Sequence, residues 1–292
     1  MLKLPATALA LSACILPAAA QPFASEFDAA RITSSYAGEM DLDSGGSLSV
    51  PRFEIRSLLA PPLSPLKGLT VIPLFEYQFA QLDFDGVSSG YPIRDEELHS
   101  INLSAFMISN CEGSPWIYGG WVRAEMATDF QDINGDDFTF DVAAGVGYKF
   151  SERFTLGLGG VVLNINGDTE FYPGVFFDWA ATERIRVGFY GPALVATYEH
   201  DENWMFALRG DSGGGVWNIR GDGGASQSID LTSYRLGLYA NRRLAGDLWL
   251  SVGGGATFGN EIELTRPNGD RIFKDGMDGG LFAQISLRVV KW

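Results

Sequence analysis

The sequence predicts an all-β protein: a single antiparallel transmembrane β-barrel of twelve or fourteen strands. Three observations predict it. In 138–150, Phe138, Phe140, Val142, Ala144, Val146, Tyr148 and Phe150 fall on one parity, and Thr139, Asp141, Ala143, Gly145, Gly147 and Lys149 on the other. That period of two belongs to a strand, and a greasy face opposite a polar one suits a wall between lipid and a wet lumen. The same alternation recurs down most of the chain between Gly/Pro/Asn/Asp clusters. The connections alternate between compact and long, an asymmetry that a soluble sandwich gives no reason for.

The chain begins with a stretch read as a signal peptide over 1–20. Lys3 supplies a basic start, 4–16 an apolar run, and Ala18-Ala19-Ala20 a small-residue cleavage site. The run is too short to span a membrane, which takes about 20 apolar residues. The alternative is Leu11-Ser12-Ala13-Cys14, which looks like a lipoprotein signal with Cys14 lipidated. Residues 21–292 then form one barrel domain. Loss of Lys3 makes the formal charge of −15 more negative still, so the basic footprint that nucleic acid requires is missing. Cys111 is the one thiol outside the signal, which excludes a disulfide framework. Many of the 36 glycines sit at inward positions, where they relieve crowding and permit curvature.

Strand segments are expected near 31–40, 48–59, 68–82, 98–109, 115–129, 137–150, 153–165, 171–180, 184–190, 193–199, 203–220, 229–243, 247–262 and 278–292. Leu69, Val71, Phe75, Tyr77 and Phe79 share a face, as do Tyr234, Leu236, Leu238 and Ala240, and Leu248, Leu250, Val252, Ala256 and Phe258. Most segments reach the roughly 9–11 residues that a tilted barrel strand needs. Segments 184–190 and 193–199, joined by Gly191-Pro192, do not; a non-crossing hairpin there reduces the count to twelve. With the first strand running outward, the compact turns (60–67, 110–114, 151–152, 181–183, 200–202, 244–246) fall on the periplasmic side. The longer or acidic loops (41–47, 83–97, 130–136, 166–170, 221–228, 263–277) fall outside. Trp116, Trp179, Trp204, Trp249 and Trp292, five of the seven Trp, lie at periplasmic strand ends, where interfacial aromatics collect.

The last segment ends in Trp292 with Val290 two residues earlier, which resembles the C-terminal assembly signal of Gram-negative outer-membrane barrels. The match is partial: Leu287 stands where the pattern favours Gly, and Trp292 falls off the apolar parity of Leu281–Val289, so a bulge near Val289–Val290 is expected. As a whole the chain resembles the uncharacterised outer-membrane β-barrel proteins of Gram-negative bacteria over roughly residues 31–292. The resemblance implies an outer-membrane location, with the lipid bilayer and the outer-membrane assembly machinery as partners, and carries no catalytic motif.

Beyond the fold, the most specific feature is a set of inward charges: Arg52, Glu54, Arg56, Glu76, Arg123, Glu125, Asp141, Lys149, Arg186, Arg209, Arg235 and Arg288, with Asp129, Asp178, Arg184 and Arg220 on the same parity. An Arg ladder facing acids can select polar or anionic solutes. The same residues can instead close a narrow lumen with ion pairs, leaving a structural barrel that acts through its acidic outer loops. Asp132, Asn134 and Asp136 place oxygens at alternate positions, a spacing that suits Ca²⁺, although Asn134-Gly135 is also a turn-former. His99 and Ser100 are adjacent, so on a strand they face opposite sides and make a poor nucleophile–base pair; His200 sits in a polar turn. A membrane hydrolase is therefore the weakest reading. No organic cofactor is expected.

Overall fold

The computed structural model describes residues 28–110, 113–165, 168–190, 193–221, 225–267 and 269–290. The signal segment with Cys14, and Cys111, Gly191-Pro192 and Trp292, lie outside the described residues. In chain order the strands are β1 (Ala30–Asp41), β2 (Ser47–Leu58), β3 (Leu63–Leu66), β4 (Leu69–Asp85), β5 (Glu96–Asn110), β6 (Trp116–Thr128), β7 (Phe138–Ser151), β8 (Phe154–Ile165) and β9 (Asp168–Ala180). They continue as β10 (Ile185–Tyr190), β11 (Ala193–Glu199), β12 (Trp204–Ser212), β13 (Gly215–Arg220), β14 (Ser226–Ala245), β15 (Leu248–Thr265), β16 (Arg271–Met277) and β17 (Leu281–Val289). Fourteen of them, all but β3, β13 and β16, form a continuous antiparallel wall. The wall closes where β17 pairs with β1, from Ala30↔Val289 to Ala37↔Phe282.

The short segments on either side of Gly191-Pro192 are wall strands. β10 pairs with β9 and β11, and β11 with β12, so the count is fourteen rather than twelve. The alternation in 138–150 reads out as predicted through most of its length: Phe140 is 63 % exposed on the lipid side, and Asp141 beside it is 2 % exposed. Leu281 and Leu287 face outward and Phe282, Ser286 and Arg288 inward. The register of β17 is regular through Val289, so no bulge precedes that residue; Val290 follows the strand and donates its N–H to the Asp247 carbonyl at 2.9 Å.

Rings gather at the periplasmic end, where Trp116 meets Tyr148 edge-on at 4.9 Å and Trp204 stacks with Phe206 at 6.2 Å. At the outer end Tyr234 stacks with Phe258 at 5.9 Å and His99 with Phe130 at 4.5 Å. An apolar exterior bounded by two aromatic levels is the signature of a membrane-embedded barrel.

Two irregularities re-aim the strands above this belt. The β1–β2 register shifts between Ala37 and Met40. In β15 an extra residue at Gly259 (φ 59°) shifts the pairing with β14. A bulge switches which parity faces in, and these turn Met40, Leu42, Ile262 and Leu264 toward the axis. The third departure is larger. Residues 203–220, read as one strand, break at Gly213-Gly214 into β12 and β13. A Cβ on Gly214 would lie 1.9 Å from the Leu231 carbonyl oxygen, so only glycine makes this bend. β13 keeps its pairing with β14 but crosses the mouth to form a parallel bridge, Asn218↔Thr128, with β6. β12 and β6 are the eleventh and fifth of the fourteen wall strands, so the bridge spans the outer mouth.

The outer end is consequently a two-layer sandwich. Inner-face residues of β1, β2, β4 and β5 (Met40, Leu48, Val50, Leu82, Leu98) meet Trp217, Ile229, Leu231, Ile262 and Leu264 of β13–β15 in one apolar core. Tyr91 and Ile93 of the 86–95 loop complete it. β16, within what the alternation pattern left as the loop 263–277, pairs with β15 from Asn260↔Met277 to Thr265↔Arg271 and widens the second layer. Replacing Gly214 with Ala should loosen this cap by about 1–3 kcal/mol, as overpacking against fixed backbone does. Faster cleavage of the outer loops by limited proteolysis, with an unchanged β spectrum, is the expected result.

Candidate functional site

Below the dry cap the inward rows are polar, and every one of the twelve predicted lumen charges lies on them. Cross-strand register explains the pairing, since opposed residues are the contact unit of a sheet. Arg123 lies opposite Asp141 and donates to it through Nε at 2.7 Å and also through Nη2, while its Nη1 is 3.1 Å from Glu125. Arg56 lies opposite Glu76 and donates through Nε at 2.5 Å. Arg235 lies opposite Asp211, which accepts from Arg235 at 2.9 Å and from Arg209 at 2.8 Å. Arg186 makes a two-pronged contact with Asp178, both bonds 2.7 Å. Like charges face each other in Arg31↔Arg56 and Arg31↔Arg288, and the repulsion is relieved diagonally. Glu54 accepts from Arg31 at 2.7 Å, and Asp28 accepts from Arg288 at 2.8 Å. Lys149 takes the inward position opposite Thr155.

The pairs are not symmetric toward the lumen. The side chains of Arg123, Arg186 and Arg209 keep 31, 32 and 31 % of their surface, whereas their partners Asp141, Asp178 and Asp211 keep 2, 7 and 13 %. In these three pairs each acid is withdrawn further from solvent than the guanidinium it binds. Aromatic rings narrow the same space by lying over glycines. A Cβ on Gly157 would lie 2.0 Å from Phe176, one on Gly253 2.2 Å from Tyr239, and one on Gly237 2.6 Å from Phe282. These glycines are seats for rings as well as sites of curvature.

Other predicted residues land elsewhere. Arg184 is exposed in the turn before β10, not in the lumen. Asp129 and Arg220 belong to the latch that holds β13. The Asp129 carboxylate accepts from the backbone N–H of Arg220 at 2.8 Å, and Arg220 Nε lies 3.4 Å from Asp132. Asp137 accepts from Asn218 Nδ2 at 2.9 Å. Of the suggested Ca²⁺ ligands, Asn134 caps a short 3-10 turn by accepting from Asp136 N–H at 2.8 Å, and Asp132 lies beside Arg220. Among the described residues no three His, Cys, Asp or Glu side chains converge as a metal site. His99 faces outward, hydrogen-bonded to the Tyr77 hydroxyl at 2.9 Å, and Ser100 faces inward, accepting from Trp217 Nε1 at 3.0 Å. In the outer loop, burial and the nearby Asp275 carboxylate push the Tyr91 phenol above its ordinary range, and it donates to Asp275 at 3.3 Å.

Sequence reasoning missed Asp28, Asp211 and Trp217. Asp211 was legible, being two residues from Arg209 on the same strand face. Asp28 precedes the first strand and Trp217 lies beyond a bend, so no periodicity marks either.

The chain is similar in fold to the crystal structure of the COG4313 outer membrane channel from Pseudomonas putida F1, with 14 % identity, a TM-score of 0.47, and 91 % of this chain and 96 % of that one covered. It is likewise similar to a Pseudomonas aeruginosa FadL homologue, with 10 % identity, a TM-score of 0.49, and coverage of 89 and 90 %. No curated protein matches the chain in sequence. The closed wall and its apolar belt make this an integral outer-membrane β-barrel embedded in the lipid bilayer. Residues 70–289 match the family described as a domain of unknown function, DUF6268, and the chain belongs to that family.

Proposed function

We propose that the barrel is a narrow, anion-preferring channel for small polar solutes. One observation carries the reading: Arg123, Arg186 and Arg209 present partly exposed guanidinium groups to the lumen while their carboxylate partners are withdrawn behind them. Rings of such groups set a constriction and favour negative solutes. The cap confines the outer passage to the side of the wall formed by β6–β12, because the apolar core fills the space between β1–β5 and β13–β16. A non-conducting barrel is favoured by one separate observation, the dry sandwich itself, and the same experiment separates the two readings. Purified full-length protein in planar bilayers should give small conductance steps with anion over cation selectivity. Replacing Arg123 and Arg209 with Gln should lower that selectivity several-fold, by analogy with charged-ring pores. A folded, heat-modifiable barrel that gives no steps removes the channel reading, and unchanged selectivity in the double variant removes the role of these arginines.

A further inference from the structure

We propose that Arg52 and Arg235 form a binding site for a single halide-sized anion at the foot of the outer cap. Arg52 stands out among the lumen cations. Among the described residues it has no carboxylate within 4.0 Å, whereas Arg31, Arg56, Arg123, Arg186, Arg209, Arg235 and Arg288 each have one. Its Nη1 donates to the Gly214 carbonyl at 3.2 Å, and its guanidinium sits 5.6 Å from the centre of the Trp217 ring. Its Nη2 is shut off from solvent with no acceptor. A guanidinium cannot shed its proton to escape such a place, so it calls for a counter-charge.

The neighbourhood holds a small cavity beside it. Arg52 and Arg235 line a common cavity of about 10 Å³, together with Ser35, Ser233 and Phe282. Arg235 reaches it over Gly213, where a Cβ would lie 2.8 Å from its Cδ, and rests 5.6 Å from the Phe282 ring centre. Asp211 is already shared by Arg209 and Arg235, so it is not held by Arg52. A cavity of that volume is about the size of one water molecule, so a monatomic anion enters only with a small outward shift of the Arg52 and Arg235 side chains, and tetrahedral phosphate or sulfate requires a larger one. An anion here would also tie together the two arginines that hold either side of the Gly213-Gly214 bend, coupling its occupancy to the seating of β13.

The test uses refolded full-length barrel and bromide. Crystals grown in sodium bromide should show an anomalous peak between Arg52 and Arg235. Thermal unfolding in detergent should shift upward with bromide at constant ionic strength against gluconate, and the shift should vanish in Arg52→Gln. A wild-type map with no anomalous peak in the cavity, or unfolding midpoints that are equal in bromide and gluconate, overturns the site; neither readout depends on the variant folding. Bromide bound in a barrel that passes no current retains the site and removes the channel. Current without bromide there does the reverse.

Discussion

Trp217→Ala is expected to open the outer end of the barrel while leaving the membrane wall intact. Trp217 is 1 % exposed, the largest side chain in the cap that is fully withdrawn from water. Removing a buried ring of this size costs about 3–5 kcal/mol, combining lost transfer energy with the cavity left behind. Two further losses add to it. Ser100 loses the Nε1 donor at 3.0 Å, and Arg52 loses the aromatic face beneath it. β13 is tied to the far side of the mouth by few contacts besides Trp217, chiefly Asn218 to Asp137 and Arg220 to Asp129. The cost should therefore appear as local release of β13. Proteolysis within 86–95 and 129–137 should accelerate, and single-channel conductance should rise, while heat-modifiable migration on gels persists. Loss of that migration would show instead that the cap and wall unfold together.

The second large effect is expected at Asp141. It is 2 % exposed, lies opposite Arg123 in register, and accepts two of its N–H groups. Asp141→Ala leaves that guanidinium with Glu125 alone, at 3.1 Å. Breaking a buried pair from one side costs about 3–5 kcal/mol; the partial exposure of Arg123 and the surviving Glu125 contact place this case near 3 kcal/mol. Removing both partners together, as Arg123→Met with Asp141→Leu, should recover most of the loss, because neither charge is then stranded. Denaturant unfolding in detergent measures both variants. Equal destabilisation in the single and double variants would mean that Asp141 matters for packing rather than for charge.

Much of this architecture was legible in advance. The wall strands, their lipid-facing parity and the inward charges follow from alternation, which is a local property: adjacent side chains on a strand point opposite ways whatever lies beyond. Even the separation of His99 from Ser100 came from that rule. Other features lie where a local rule does not reach. Asp132, Asn134 and Asp136 look like an oxygen ladder in one dimension, but their partners, Arg220 and the turn's own N–H groups, are set by how the chain returns. The segment 203–220 looks like one strand because both halves are strands; the bend at Gly213-Gly214 changes direction without changing secondary structure.

Alternation thus gave the fold class, the membrane and the inward parity of Arg123, Asp141, Arg235 and their neighbours. Strand order, closure and the inward path of β13 decided the rest: which arginine faces which acid, which acids are hidden, that Arg52 has none among the described residues, and that an apolar core fills the outer mouth between β1–β5 and β13–β16. The division has a physical origin. A strand's two faces are encoded by its own residues, but whether an inward face meets water, a charge or another apolar face depends on what stands across the axis. In this chain that partner is dozens to more than a hundred residues away, as Trp217 is from Ser100.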